Sequence, residues 1–530
     1  MSIIVSDTSF HYPNQDNLLD HLSFSIQQNR KVALIGNNGA GKTTLLKLLA
    51  GILLPSAGSI QWSAKPYYIP QQLKPTNFTV AEAIGIKKEI EALEAINNGS
   101  IDQAYFDLLD NKWDIESKCR QALNYWGLNH IDLTSTIDTL SGGEKNKVYL
   151  AASMVHSNHL ILMDEPTNHL DLTSRTKLYD FITNTKATLI IVSHDITLLN
   201  LLDTTYELSE KGIKLYGGNY DFYKEQKKLE EKSIAQQISS EKASLRLAKK
   251  KAQEVRERQD KRSSQGGKNK SKEGVPTIVL NSLSSHSENS TAKLINKHSD
   301  IIEGKLDHLT ELNLRQRKKN NLRLDLKDAQ LHNGKLLIEA KRINFGYLID
   351  KHLWTSPLNF EIRSGDRLHL KGDNGAGKST LIKLITNELS PSIGEIKRAD
   401  FSFIYIDQEF KIINSNKTIL ELANDFNPNK LHDNEIKTML NRALFPQETW
   451  DNYCTNLSGG ERMRLYLCCL MISNQIPDMI ILDEPSNNLD LPSLEILIQT
   501  IKSYNGTILV ISHDNHFINN IGITETISVV

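Results

Sequence analysis

Two eight-residue stretches carry the first chemistry. Gly36-Asn37-Asn38-Gly39-Ala40-Gly41-Lys42-Thr43 is answered 336 positions later by Gly372-Asp373-Asn374-Gly375-Ala376-Gly377-Lys378-Ser379. Their glycines let backbone N–H groups close on phosphate oxygens, and the lysine reaches the outer phosphates. The Thr43 or Ser379 hydroxyl can ligate Mg²⁺. Thr44 and Thr380 extend the two candidate nucleotide-binding sets.

The same further motifs follow each loop in the same order. After the first come Gln71, Leu140-Ser141-Gly142-Gly143-Glu144, Asp164-Glu165 and Ser193-His194-Asp195. After the second come Gln408, Leu457-Ser458-Gly459-Gly460-Glu461, Asp483-Glu484 and Ser512-His513-Asp514. Asp164 and Asp483 close apolar runs, where a carboxylate can hold Mg²⁺ with Thr43 or Ser379. Glu165 and Glu484 come next, where a carboxylate facing the terminal phosphate can polarise an attacking water as general base. The Ser-His-Asp runs are not nucleophilic triads, because three adjacent side chains do not converge on one point.

These groups need elements to hold them. Each loop follows a β-rich run (Lys31–Ile35; Arg367–Leu370) and opens a stretch of helical period, and each histidine follows a β-branched run (Thr188–Ser193; Thr507–Ser512). Strands alternating with helices predict an α/β fold with a mostly parallel sheet in each copy. The chain has 530 residues, room for roughly three domains. Its four cysteines (Cys119, Cys454, Cys468, Cys469) show no CxxC spacing, so a reducing compartment is expected, with no disulfide or zinc. No signal peptide is read at the N-terminus. No apolar run approaches the ~20 residues that cross a bilayer.

On the phosphate loops, the Leu-Ser-Gly-Gly-Glu signatures and their order, the chain resembles the ATP-binding-cassette superfamily; generic phosphate-loop ATPases lack that signature. Two cassettes without a membrane span, joined by a long charged linker, look like the ABC-F family of ribosome-associated ATPases. The phrase Tyr216-Gly217-Gly218-Asn219-Tyr220-Asp221-Phe222-Tyr223 is similar to the family's wording before its linker. The resemblance implies that His194 and His513 contact the γ-phosphate of ATP. It implies that Gln71 (or Gln72) and Gln408 complete the Mg²⁺ shell. Tyr12 and Tyr347 could stack on adenine, or be plain core aromatics. Each signature (Ser141, Gly142, Gly143; Ser458, Gly459, Gly460) would close on the nucleotide held by the other cassette. Site one would then use Lys42, Asp164, Glu165 and His194 with Ser458–Gly460. Site two would use Lys378, Asp483, Glu484 and His513 with Ser141–Gly143. Two ATP molecules would glue the cassettes face to face until hydrolysis releases them. The second copy reads Asn488 where the first has His169, and Asn29 stands where a glycine commonly precedes the first strand. Both glutamates and both histidines are retained, so two hydrolytic sites are expected, of equal or unequal rate.

The domain reading is 1–223 for a first cassette, 224–335 for a linker and 336–530 for a second cassette. The linker holds 26 Lys+Arg against 15 Asp+Glu, a net of +11, so the rest of the chain carries −12. Within 242–272 the ratio is 12 to 3. One arm, to about Arg262, places Ile234, Ile238, Leu245, Ala248, Ala252 and Val255 on a heptad-like stripe. A second arm, about Thr291–Lys327, carries Leu294, Ile302, Leu306, Leu309 and Leu312. This predicts an antiparallel helical hairpin reaching roughly 55 Å, turning in Ser263–Ser290 around Ile278–Leu280. That apolar tip either engages a partner or packs back on the hairpin. The extra residues of the first cassette, around Ile86–Trp113, read as a short helical insert rather than a long arm.

The leading expectation is a cytoplasmic, monomeric ATPase using ATP and Mg²⁺. It would bind the ribosome when ATP-loaded and insert the basic hairpin beside tRNA and rRNA near the peptidyl-transferase centre. By resemblance it would either regulate translation or protect the ribosome from antibiotics. A DNA-associated repair-type cassette ATPase and the soluble subunit of a transporter are the alternatives.

Overall fold

The computed structural model describes residues 2–13, 17–71, 77–110, 112–156, 159–168, 170–209, 211–269, 297, 299–313, 332, 334–348, 351–373, 375–407, 410, 412–413, 415–487 and 489–529. It divides into two compact units, Met1–Phe222 with Leu322–Val530, and Tyr223–Asn321.

The first unit holds both cassettes. In the first cassette the central sheet runs Tyr67–Ile69, Leu160–Asp164, Thr188–Val192, Lys31–Ile35, Thr204–Ser209, Gly212–Tyr216. Its pairs are parallel except the last. In the second the order is Phe403–Ile406, Met479–Asp483, Thr507–Ile511, Arg367–Lys371, Glu525–Ser528, all parallel. Strands covered on both faces must be apolar throughout rather than alternating. Leu160–Asp164, Thr188–Val192 and Thr507–Ile511 are buried at every residue. Each cassette adds a three-stranded antiparallel sheet: Asn17–Ile26, Ile3–His11 and Ala57–Trp62; or Leu358–Arg363, Leu336–Asn344 and Ile393–Arg398. The helix after each phosphate loop, Lys42–Leu49 or Lys378–Ile385, packs Leu45, Leu46, Leu48 and Leu49, or Leu381, Ile382, Leu384 and Ile385, into the core between the sheets.

Asn29 has an explanation. It sits at φ 59°, and Gly365, in the same turn of the second cassette, at φ 91°. The turn demands the left-handed region, which asparagine tolerates better than most non-glycine residues. The insert of the first cassette is two short helices, Lys87–Asn97 and Gln103–Leu109, broken at Asn98–Ser100.

The second unit contains most of one long helix, Tyr220–Asn269, and a second helical stretch at 299–313. Ile238 and Leu245 are buried, and Ile234, Ala248, Ala252 and Val255 half-buried, so the stripe faces inward. Lys305 donates to Glu241 at 3.1 Å and to Ser244 at 2.9 Å. Leu312 is buried as Ile238 is, which suits an antiparallel pair. Two expectations are corrected. The first helix continues past Arg262 to Asn269, through Gly266 and Gly267, since each glycine disfavours a helix by only about 1 kcal/mol and no proline interrupts it. Leu306 is exposed, and Lys305 takes the inward position by laying its stem along the partner helix. The expected tip, Ile278–Leu280, and Leu294 lie outside the described residues.

Candidate functional site

Both lysines are cradled alike. Lys42 Nζ donates to the Gly36 carbonyl at 2.7 Å and the Asn37 carbonyl at 3.1 Å; Lys378 does so to Gly372 at 2.7 Å and Asp373 at 3.1 Å. Gly41 and Gly377 hold φ near 90° and cap the following helices. No other residue turns the chain there without strain. The free N–H groups of that first helical turn face the loop. Ala40 and Ala376 close the loops through N–H bonds to the Asn37 and Asp373 carbonyls. Asn374 and Gln408 lie outside the described residues, as do Gln72, His169 and Asn488.

The carboxylates follow. Asp164 and Asp483 are the last residues of their strands. Tyr68 donates to Asp164 at 3.3 Å and Tyr405 to Asp483 at 2.8 Å. Burial raises both aspartates, opposed by the Thr43 and Tyr68 hydroxyls at Asp164 and the Tyr405 hydroxyl at Asp483. Asp164 Oδ1 is buried without a hydrogen-bond partner. A carboxylate beside a hydroxyl (Thr43) with an oxygen to spare fits Mg²⁺, which takes one or two protein oxygens and completes its shell with water and phosphate. Among the described residues no cluster of three His, Cys, Asp or Glu could hold a metal alone.

Glu165 and Glu484 adopt φ of 51° and 48°. A strand continuing regularly would turn them away; the left-handed kink, a strain worth about 1–2 kcal/mol, aims them at the histidines. The His194 amide donates to Glu165 Oε2 at 3.2 Å, and His194 Nε2 stands 3.3 Å from Oε1. In the second cassette these distances are 3.3 and 3.4 Å. Burial first, and the Asp164 charge second, push Glu165 up to about 8. Burial also raises Glu484. Burial and the neighbouring lysine lower His194 and His513 to about 4. Glu165 therefore keeps its proton at neutral pH, and both imidazoles are neutral. His513 Nε2 also reaches Lys378 Nζ at 3.4 Å.

Tyr12 and Tyr347 pack edge-on against Phe10 and Phe345, and their hydroxyls meet Thr44 at 3.1 Å and Thr380 at 3.0 Å. Tyr347 leaves a ring face in solvent, being 68% exposed. Ser141 and Ser458 cap the helices Gly142–Val155 and Gly459–Ser473, each in a reciprocal pair with the glutamate three residues on. Ser-Gly-Gly thus opens a helix, with N–H groups free for an anion.

A cavity of about 230 Å³ brings the cassettes together. Asn38, Gln71, Glu165 and His194 of the first line it with Ser458 and Gly459 of the second. Further residues, missed by motif reading, cross the same seam. Asp490 raises Lys42 and His194 electrostatically, and Asp171 does so for Lys378 and His513. Arg175 donates to the His513 carbonyl at 3.2 Å. The available signal was position: Asp171 and Asp490 follow Leu170 and Leu489 at equal distance from each catalytic glutamate, and both cap a helix.

Known proteins agree with this geometry. The ABC transporter family profile matches residues 19–168 and 355–487. The putative ATP-binding protein YdiF of Bacillus subtilis is 30% identical over 96% of this chain and 77% of its own length. ATP-binding protein Uup of Haemophilus influenzae is 29% identical over 95% and 75%. ABC transporter F family member 5 of Arabidopsis thaliana is 28% identical over 95% and 72%. Among solved structures, the archaeal ribosome recycling factor aABCE1, in complex with the ribosomal stalk protein aP1, superposes with a TM-score of 0.59 at 20% identity, over 97% of this chain and 86% of that one. At that identity the likeness is one of fold.

Proposed function

Since the chain belongs to the ATP-binding-cassette family, in its F branch of twin-cassette ATPases, we propose that it is a cytoplasmic ATPase that binds the ribosome when ATP closes its cassettes. The observation that carries this reading is the linker. Its net charge is +11 against −12 for the remainder, and its long helix exposes Lys249, Lys250 and Lys251, none of which belongs to the inward stripe. A basic helical linker joining two ATP-driven cassettes along the chain suits a groove lined by phosphates, where each lysine releases counterions. The linker would reach tRNA and rRNA near the peptidyl-transferase region, to regulate translation or to protect it from antibiotics. The ribosome recycling factor with the same fold is named as a ribosomal protein's partner, and among the described residues no helix is long and apolar enough to cross a membrane.

In the hydrolytic step Lys42 and Lys378 would hold the outer phosphates within the glycine loops. Thr43 with Asp164, and Ser379 with Asp483, would hold Mg²⁺, and Gln71 and Gln408 would complete its shell. The bound ion neutralises charge on the phosphoryl oxygens. Glu165 and Glu484, once ionised, take a proton from water. His194 and His513, neutral, can donate to the γ-phosphate while their backbone N–H groups keep the carboxylates in place. Ser458–Gly460 and Ser141–Gly143 would complete each site from across the seam, so that hydrolysis lets the cassettes part.

Sucrose-gradient sedimentation of the Glu165→Gln/Glu484→Gln protein with ribosomes tests the reading. ATP-dependent co-migration with 70S particles is expected. Failure to co-migrate, with ATP still bound, sinks the ribosome reading; stimulation of the wild-type ATPase by DNA instead would replace it with a DNA-associated one.

A further inference from the structure

The two sites are not equivalent, and the difference lies in one buried cation. Helix Leu172–Asn184 of the first cassette begins at its capping Asp171; helix Leu491–Ser503 of the second begins at Asp490. Four residues past each cap stand Arg175 and Leu494, and eight past stand Tyr179 and Ile498. Arg175 is 6% exposed. Its Nε donates to the Leu170 carbonyl at 3.1 Å, its Nη1 to the His513 carbonyl of the other cassette at 3.2 Å, and Nη1 lies 3.9 Å from Asp195 Oδ2. Tyr179 adds a bond to Asp195 Oδ2 at 2.5 Å. Leu494 and Ile498 are buried and have no N–H or hydroxyl with which to hold the His194 peptide.

We propose that Arg175 is a positioning residue acting in trans on site two, holding His513 through its carbonyl so that its ring and amide serve Lys378 and Glu484; at site one, whose cavity Arg175 also lines beside Asp195, no matching side chain from the other cassette holds the His194 carbonyl among the described residues. The residue it grips by the carbonyl is the one whose own N–H fixes Glu484 at 3.3 Å and whose ring stands 3.4 Å from Lys378. A guanidinium is suited to this, because its rigid fork serves a carbonyl and a carboxylate together, which an ammonium cannot do in fixed geometry. The grip exists only while the cassettes face each other. Hydrolysis at site two is thereby conditional on closure through a side chain, while site one relies on its own cassette and the facing signature. The asymmetry assigns the two sites different dependence on the seam.

The test is single-turnover ATP hydrolysis in two backgrounds. Glu165→Gln leaves only site two competent and Glu484→Gln leaves only site one. Arg175→Leu copies the residue that the matching helix of the second cassette already carries. In the Glu165→Gln background it is expected to lower the hydrolysis rate at saturating ATP by about tenfold, the order that a small misplacement of a catalytic group costs. The ATP concentration giving half that rate should stay within about twofold, since Arg175 touches neither phosphate loop. In the Glu484→Gln background the loss should be at least about threefold smaller, because at site one Arg175 acts only through Asp195 and not through the histidine's own carbonyl. Equal losses in both backgrounds would mean a merely structural role and overturn the proposal, as would no loss in either. Should Arg175→Leu not fold, Arg175→Lys, with melting matched to its parent, decides: a loss larger in the Glu165→Gln background upholds the proposal, and an even loss or none overturns it. The proposal rests on the assignment of site two to Lys378, Glu484 and His513. Glu484→Gln alone checks that assignment, and a protein still hydrolysing normally at site two would overturn both.

Discussion

Glu165 and His194 meet twice, through an amide hydrogen bond of 3.2 Å and a ring contact of 3.3 Å, the first buried and the second half-buried just past the ends of neighbouring parallel strands. The pairing fixes which group carries the proton. Burial and Asp164 raise the carboxyl to about 8, and burial with Lys42 lowers the imidazole to about 4. A general base works ionised, so its competent fraction grows as pH rises through the raised value. In the Glu484→Gln background kcat/KM should climb from pH 6, reach half its plateau near 8 and level off above about 9, because that quantity reports the free enzyme. One cause of the shift is the Asp164 charge, which Mg²⁺ would offset. The limb in kcat should accordingly lie at lower pH than the limb in kcat/KM. A kcat/KM flat between pH 6 and 9 would count against Glu165 as the base.

Replacing both glutamates isolates chemistry from binding. Glutamine keeps the size and an oxygen for the His194 and His513 amides, but cannot take a proton. The Glu165→Gln/Glu484→Gln protein should bind ATP as before and turn over about 10²–10⁴-fold more slowly. It should also stay closed, because release follows hydrolysis. Equilibrium nucleotide binding and steady-state phosphate release check the two halves separately. Ordinary turnover would remove both residues from the mechanism.

Two glycines of one loop separate backbone strain from steric clash. Gly375 holds φ 83° with nothing near the place of a Cβ; Gly377 holds φ 89°, and a Cβ there would stand 2.3 Å from Leu353 Cδ2 and 3.0 Å from Trp354 Nε1. Gly375→Ala carries only the left-handed penalty, about 1–2 kcal/mol. Gly377→Ala carries that and must also push Leu353 and the buried Trp354, so it should melt lower and lose ATP binding at site two. Thermal unfolding of the two variants checks the order; equal melting would refute the steric account.

Much of this was legible because the chemistry is local in sequence. A phosphate loop is written in consecutive glycines, and an apolar run ending in Asp-Glu announces a buried parallel strand with carboxylates at its tip. The linker stripe from Ile234 to Val255 was readable for the same reason, since helical period is local. The left-handed turn of Glu165 and Glu484 was not, because glutamate has no intrinsic preference for positive φ and only the packed strand end imposes it. Tyr68 and Tyr405 were missed as partners of Asp164 and Asp483, since they join from another strand, 96 and 78 residues away. Arg175 was missed for a like reason. Its partner is a backbone carbonyl 338 residues on, and no side-chain pattern marks a carbonyl.

The linker reading stands or falls on charge. Lys249, Lys250 and Lys251 are exposed on the long helix, while the stripe residues Ile238 and Leu245 are buried, so reversing them replaces no residue of the stripe. Lys249→Glu/Lys250→Glu/Lys251→Glu changes net charge by six and should preserve basal ATP hydrolysis, since none of the three lies in a cassette. If the helix binds phosphate-lined RNA, ribosome affinity should drop by well over about tenfold at moderate salt, and the dependence of affinity on salt should flatten, because fewer counterions are released. Co-sedimentation across a series of salt concentrations measures both. Affinity that falls without any change in salt dependence would point to a lost shape contact. Affinity that does not fall at all would mean that the basic face meets no nucleic acid.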